Sequence, residues 1–162
     1  MEKITERYSR QEWTALDILR LPEDLVSNAD KLWLVLREEL IDAPILHEFA
    51  CRCAERALFL IDNPDSRSVA AVAAKRAWLK GDITDRQLDS ACDAAYDAAC
   101  AATRGTTVSS AAYSAYWAAD NDAYSAAGWA ACDAVYNAED TAAERAWQVE
   151  ALIKMLEVND QL

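Results

Sequence analysis

The side chains that could act as a nucleophile's base or as metal ligands are few: one histidine, His47, and five cysteines. A nucleophilic Cys or Ser needs a base beside it, and His is the usual one. His47 falls in the first turn of a predicted helix, where a lone His is more often a surface or core residue than a ligand. The sequence also lacks a glycine-rich phosphate loop and a carboxylate pair backed by His. We therefore predict a non-enzymatic protein without a cofactor.

The cysteines do not have the spacing of a metal site. Cys51 and Cys53 are two positions apart, and a helix directs such residues to different faces, with no second pair to complete four zinc ligands. Cys92 and Cys100 are two helical turns apart and equally unconvincing. We predict no metal site.

The five cysteines and the first residues also bear on the compartment. An odd count prevents complete disulfide pairing within one chain, and the start Met1-Glu2-Lys3-Ile4 does not resemble a signal peptide. No apolar run reaches the length of a membrane span. We expect a cytoplasmic protein in a bacterium or in a phage-infected bacterial host.

Four aspartates recur at every fourth position and form what we call the acidic stripe: Asp85, Asp89, Asp93 and Asp97. On a helix they share one face with Tyr96 and rise about 6 Å per step, which is similar to the spacing of phosphates along a strand. The stripe could therefore mimic nucleic acid, or it could simply solubilise an Ala-rich helix. Like charges at i and i+4 cost a few tenths of a kcal/mol per pair, and Asp is a poor helix former, which favours a binding role.

Negative charge is concentrated in the second half of the chain. Residues 82–162 carry 14 acidic and four basic side chains, so they hold −10 of the total charge of −12, whereas residues 1–81 carry 14 and 12. Such a field repels nucleic acid and membrane surfaces. It favours a basic protein partner, or a protein whose own ligand is nucleic acid.

A second candidate surface is the aromatic edge of the sixth predicted helix, formed by Tyr113, Trp117 and Tyr124. The N-terminal helices could cover this edge, and that is the alternative we favour. Otherwise the edge is left for a second copy or for a target protein, because Tyr and Trp are enriched at interface hot spots. The candidate partner-binding residues are the acidic stripe, Tyr96, Tyr113, Trp117, Asp120 and Tyr124.

The elements that must position these residues are helices. Only three Gly and three Pro occur, and no segment shows the alternation typical of strands. The predicted helices cover residues 2–20, 29–40, 43–61, 67–80 and 85–103, followed by a sixth from Thr106 or Thr107 that could continue to Leu156. We predict an all-α, compact bundle of about six helices with a long Ala-rich C-terminal helical hairpin.

One row of the sixth predicted helix consists of alanines spaced three or four positions apart, the Ala edge: Ala112, Ala115, Ala119, Ala123, Ala126, Ala130 and Ala134. Ala has the highest helix propensity, and the row averages about 3.67 residues per turn, close to the value of a straight helix. We expect a long, nearly straight helix in close contact with the fifth. Asn121, Gly128 and residues 137–141 are the candidate interruptions of this helix. A helix of 50 residues would span about 75 Å, so we expect a break, and we place it near Asn137.

These elements form a single all-helical domain over residues 1–162 in our interpretation. Its first part, residues 1–81, holds the amphipathic N-terminal helices. Its second part, residues 82–162, holds the acidic Ala-rich helices. This division follows the change in charge and in Ala content.

Three segments carry a resemblance to a known family: Cys53-Ala54-Glu55-Arg56-Ala57-Leu58, Pro64-Asp65-x-Arg67, and Lys75-Arg76-Ala77-Trp78-Leu79-Lys80-Gly81-Asp82-Ile83. With the Ala repeats that follow them, the stretch from His47 to Ala102 resembles the immunity protein family, with an immunity-protein-five-like Ala-rich helical domain. Glu144-Arg145-Ala146-Trp147-Gln148 resembles the closing helix of related Ala-repeat proteins of bacteria and phages.

The resemblance implies a cytosolic α-helical protein, carried beside toxins or on mobile elements, that binds a protein and blocks its action. Members of the family often place His among the Ala repeats, where this chain has Tyr, Trp, Asp and Ser. We therefore expect this chain to recognise its partner through acidic and aromatic side chains rather than through imidazole. We predict that the chain inhibits either a toxin or a defence effector that is a nuclease or binds nucleic acid. In the second case it would be an anti-defence protein. The alternative is a structural module that forms a homodimer through its aromatic edge.

Overall fold

The computed structural model describes residues 12–102, 104–138 and 140–159. Within these ranges the chain forms eight helices and no strand, so the all-α prediction is confirmed. The helices are α1 (Ala15–Leu19), α2 (Asn28–Val35), α3 (Ala43–Phe59), α4 (Ser66–Leu79), α5 (Asp85–Ala101), α6 (Thr107–Ala118), α7 (Ala123–Asn137) and α8 (Thr141–Asn159). Of the first predicted helix, residues 2–11 lie outside the described residues.

Local signals set most helix ends where the sequence predicts them. The Ser27 hydroxyl accepts from the backbone N–H of Asp30 at 3.1 Å and begins α2. The Gln87 side-chain oxygen accepts from the backbone N–H of Thr84 at 2.9 Å and begins α5. Gly81 has a φ of 76°, the left-handed conformation that ends α4.

Helix α2 is shorter than predicted. It ends at Val35 rather than at Leu40. Arg37 Nη2 donates to the backbone oxygen of Trp33 at 3.1 Å, so a side chain satisfies a carbonyl of the last turn. The chain then turns before Asp42 begins α3, with Pro44 in the first turn as predicted.

The sixth predicted helix does not run straight from Thr107 to the break expected near Asn137. The chain folds into three helices, α6, α7 and α8, with breaks at residues 119–122 and 138–140. The break near Asn137 was expected, whereas the first break folds α7 back onto α6. All seven residues of the Ala edge are buried, because the two helices pack against each other and on their neighbours. The row is therefore a packing edge, as predicted, but it belongs to a hairpin.

Acidic side chains cause the first break. Asp122 Oδ1 accepts from the backbone N–H of Ser125 at 2.7 Å and caps α7. Asp120 Oδ1 accepts from the backbone N–H of Asp122 at 2.8 Å. Both carboxylates thus bind amide groups that a continuous helix would have used, which is why short acidic side chains disrupt helices.

Helix α3 is at the centre of the core. It packs against α4, α6, α7 and α8. Leu46, Phe49, Cys53 and Ala57 are completely buried along its length. His47 is buried with them, so the lone histidine is a core residue.

Side chains bonded to backbone oxygens link the Ala-rich helices to their neighbours. Ser114 Oγ donates to the backbone oxygen of Ala130 at 2.8 Å and joins α6 to α7. Gln148 Nε2 donates to the backbone oxygen of Ala131 at 2.9 Å and joins α8 to α7. Such contacts need close backbones, which the small alanines allow. The hairpin is therefore held by hydrogen bonds in addition to methyl contacts.

Candidate functional site

The acidic stripe lies on the solvent-exposed face of α5. Asp85, Asp89, Asp93 and Asp97 are all exposed. The opposite face of α5 contributes its buried residues, Leu88, Ala95, Ala98 and Ala99, to the packing with α4 and α6. The fold therefore leaves the four carboxylates available to a partner.

Two of the four carboxylates also accept hydrogen bonds from neighbouring elements. Trp78 Nε1 donates to Asp85 Oδ1 at 2.7 Å. Asn121 Nδ2 donates to Asp89 Oδ1 at 3.3 Å. Both donors are neutral, so these bonds orient the carboxylates without cancelling their charge. The negative field of the stripe stays directed at the solvent.

Aromatic rings connect the exposed side of α5 to α7. The ring centre of Tyr96 lies 5.3 Å from that of Tyr116, which lies 4.8 Å from Trp117. Trp117 in turn stacks on Trp129 at 5.7 Å. We call these four residues the aromatic chain. It crosses α5, α6 and α7, and both of its ends, Tyr96 and Trp129, are about half exposed.

The aromatic chain differs from the predicted aromatic edge. The edge required Tyr113, Trp117 and Tyr124 on one helix, but Tyr113 and Trp117 belong to α6 and Tyr124 to α7. The prediction of one continuous edge is therefore wrong, because the break at residues 119–122 separates its members. Trp117 is partly covered by the core, whereas Tyr124 is 52% exposed.

Two other predicted contact residues have local roles. Tyr113 Oη lies 4.0 Å from Cys100 Sγ, and hydrogen bonding to this thiol raises the pKa of Tyr113. Asp120 is half-buried in the turn between α6 and α7, where its carboxylate accepts the Asp122 N–H. The carboxylate of Asp120 is thus engaged by the backbone of its own turn.

Sequence reasoning missed Trp129 and Trp33. Trp129 is 52% exposed and Trp33 is 68% exposed. Their positions on a helical wheel did not reveal this, because exposure depends on which helices pack together.

A buried polar cluster lies between α3, α4 and the turn after α6. The His47 and Trp78 rings meet edge to face at 5.6 Å, and Lys75 Nζ lies 4.1 Å from the centre of the Trp78 ring. Burial, together with the nearby charge of Lys75, lowers the pKa of His47 to about 4. Burial also lowers the pKa of Lys75 to about 8. Both residues are almost fully buried, so the cluster belongs to the interior of the bundle.

The cysteines of α3 are buried thiols with different neighbours. Burial raises the pKa of Cys51 to about 12, and it raises the pKa of Cys53 as well. The thiolate, which is the form that binds metals, is therefore disfavoured at both. In the ranges that the structure covers, no group of three or more His, Cys, Asp or Glu is placed to hold a metal ion.

Comparison with known proteins finds no matching family model, no matching curated protein and no matching solved structure. The resemblance to the immunity protein family therefore stays a prediction. None of the helices in the described part of the chain is long and apolar enough to cross a membrane.

Proposed function

We propose that the chain is a non-enzymatic inhibitor that binds a protein partner and blocks it through the exposed face of α5. The acidic stripe supplies the charge, and Tyr96 supplies an aromatic contact beside it. Occlusion of the partner's own binding surface is the mechanism, so no bond is made or broken. The site needs neither a cofactor nor a metal.

One observation carries this proposal. Four exposed carboxylates lie in a row next to Tyr96, which is itself 46% exposed and backed by Tyr116. Exposed acids alone could serve solubility, but they do not require an exposed aromatic ring supported by a second ring. Aromatic side chains are enriched in protein interfaces, and complementary charge speeds association and selects partners.

The partner that fits this face has a basic surface. A basic surface is typical of proteins that bind nucleic acid, because it neutralises phosphates. A nuclease toxin or a nucleic-acid-binding defence effector would present such a surface, and the stripe would occupy the place of its phosphates. The bacterial cytoplasm, or that of a phage-infected bacterium, is the compartment in which we expect this encounter.

The experiment begins by capturing the partner from the native host and identifying it by mass spectrometry. The affinity is then measured by calorimetry for the chain and for the triple variant Asp89→Lys, Asp93→Lys and Asp97→Lys. We expect a loss of affinity of at least about a hundredfold, because three attractive contacts become repulsive. Inhibition of the partner's activity should be lost in parallel.

The matched control reverses three exposed acids elsewhere, Glu23→Lys, Asp24→Lys and Glu39→Lys. It changes the net charge by the same amount but leaves α5 intact. If both variants lose affinity equally, net charge alone acts and the stripe is not the site. If the α5 variant keeps its affinity while its circular dichroism shows a folded chain, the proposal is wrong.

A homodimer through exposed aromatics is the second candidate function. Trp33 and Tyr136 are about 70% exposed, and a contact with a second copy of the chain would bury such rings. Sedimentation equilibrium separates the two proposals, because a structural module of this kind requires a stable dimer. A monomer at all accessible concentrations would remove it.

A further inference from the structure

A groove separates α2 from α7 on the side of the molecule where both helices pack against α8. Its volume is about 330 Å³. One wall is lined by α2 and the residue that follows it: Ala29, Leu32, Trp33 and Leu36. The other wall is lined by residues of α7, with Arg145 of α8 completing the groove: Tyr124, Gly128, Trp129 and Cys132. The floor is apolar, since Leu32 and Leu36 are buried, and Trp33, Tyr124 and Trp129 form exposed aromatic walls.

Gly128 leaves part of this groove unfilled. It lies in the middle of α7, where Gly is less favourable than Ala by about 1 kcal/mol, although most neighbouring positions are Ala. Neither a positive φ nor a close neighbour requires it. A Cβ built at Gly128 would meet no atom within 4 Å among the described residues beyond its chain neighbours and its own helix backbone. The missing methyl group therefore leaves room in the groove rather than room for another helix.

Arg145 gives the groove a fixed positive charge. Its Nη1 donates to Gln148 Oε1 at 2.9 Å, and the buried Gln148 is itself bonded to the backbone oxygen of Ala131. Among the residues that the structure describes, no carboxylate lies within ion-pair distance of Arg145. In a chain with a net charge of −12, a held and unpaired guanidinium next to an aromatic groove favours an anionic ligand.

We infer that the groove between α2 and α7 binds a small planar aromatic carboxylate. The ring would lie over Gly128, in contact with Trp33, Tyr124 and Trp129, and the carboxylate would bind Arg145. The volume is at the lower end of the range for small-molecule pockets, which suits a ligand of one or two fused rings. This site is separate from the acidic stripe on α5, so it does not depend on the inhibitor function proposed above.

Three probes of similar shape test the inference: indole-3-acetate, neutral indole and cationic tryptamine. The measurement is the chemical shift of the tryptophan side-chain N–H signals, with those of Trp33 and Trp129 assigned from their Phe variants. We expect indole-3-acetate to shift both signals with saturation and to bind about tenfold more tightly than tryptamine. The negative net charge of the protein alone would produce the opposite order.

Two variants separate binding from folding. Gly128→Ala should raise the melting temperature by about 2–4 °C, because Ala favours the helix, while it weakens indole-3-acetate binding about tenfold by filling the space. Arg145→Gln should weaken the carboxylate about tenfold and leave neutral indole unchanged. The controls are Ser90→Ala and Arg86→Gln, which make similar changes on the exposed surface of α5 and should not affect binding.

Several results would overturn the inference. They are the absence of a saturable shift with any probe, equal affinity for tryptamine and indole-3-acetate, and unchanged binding in Gly128→Ala. A dimer whose interface covers Trp33 and Trp129 would also overturn it, because the groove would then be a contact between two copies.

Discussion

Lys75 Nζ donates to the backbone oxygen of Asp120 at 2.6 Å, and this bond fixes α4 to the turn between α6 and α7. The side chain is completely buried and lies over the Trp78 ring. A buried ammonium is held here because it satisfies a carbonyl that the broken helix has left without a partner. The turn that defines the hairpin thus depends on a residue 45 positions earlier in the chain.

The first prediction concerns the pH dependence of stability that Lys75 causes. Its pKa falls from 10.5 to about 8 in the folded chain. Between these values the unfolded chain holds a proton that the folded chain has released, so stability rises with pH across this window. Urea unfolding of the chain and of Lys75→Met should diverge by up to about 1.4 kcal/mol per pH unit above pH 8. Parallel curves would contradict the lowered pKa.

The second prediction concerns His47, whose single imidazole signal can be followed directly by NMR. Its pKa is lowered from 6.5 to about 4, so the folded chain keeps the ring neutral while the unfolded chain protonates it. Stability should therefore fall as the pH drops from 6.5 towards 4, and the variant His47→Gln should lack this contribution. An imidazole signal that titrates near pH 6.5 in the folded protein would refute the prediction.

The third prediction tests the close packing of the hairpin. Ala126 is completely buried in the core that α6 and α7 share with α3. Ala126→Leu should lower the free energy of unfolding by about 1–3 kcal/mol or more, because the larger side chain has no space. Ala143→Leu on the exposed surface of α8 is the control and should change stability by less than about 0.5 kcal/mol. Equal effects would mean that α6 and α7 are not in close contact.

The fourth prediction uses the ion pair between Arg56 and Glu144. Arg56 Nε lies 2.5 Å from Glu144 Oε2, and the Glu144 side chain is only 2% exposed. Arg56→Met should destabilise the chain by about 1–3 kcal/mol, because the buried carboxylate of Glu144 loses its cation and keeps only the amide of Gln148 at 3.4 Å. Adding Glu144→Gln should recover part of that loss, since the remaining side chain is neutral. Chemical unfolding of both variants and of the single Glu144→Gln completes the cycle.

Helix ends were predictable because they depend on neighbouring residues. Ser27, Gly81 and Thr84 act within a few positions of themselves, and each has the predicted role. The burial of the Ala edge was also predictable, since a row of small residues at helical spacing needs a close neighbour. Local pattern thus identified the helices and their packing side.

The hairpin was not predictable from the alanine spacing. Ala119 and Ala123 are four positions apart, as in an uninterrupted helix, so the row continues in register through the break. The competing signal was the run from Asp120 to Asp122, in which the two carboxylates accept backbone N–H groups. The turn is also bonded to Lys75, a distant residue whose contact no local pattern reveals.

The candidate surfaces also differ in how far the sequence alone predicts them. The exposure of the acidic stripe follows from one helix with one apolar side, and the sequence predicts such amphipathic placement well. The aromatic chain and the groove require the relative positions of three helices. Trp129 contacts Trp117 only because α7 folds back, so its place could not be found before the hairpin was known.

The Ala edge has a further consequence for how the molecule responds to what binds it. Methyl groups have no rotamers, so the surface between α6 and α7 has one arrangement and cannot adapt by turning a side chain. Large exposed side chains of the hairpin, such as Tyr124, Trp129 and Tyr136, lie on its outer side. A molecule that binds there contacts adjustable side chains on a rigid pair of helices. Substitutions among these outer side chains can therefore change the binding specificity while the packing of α6 against α7 stays the same.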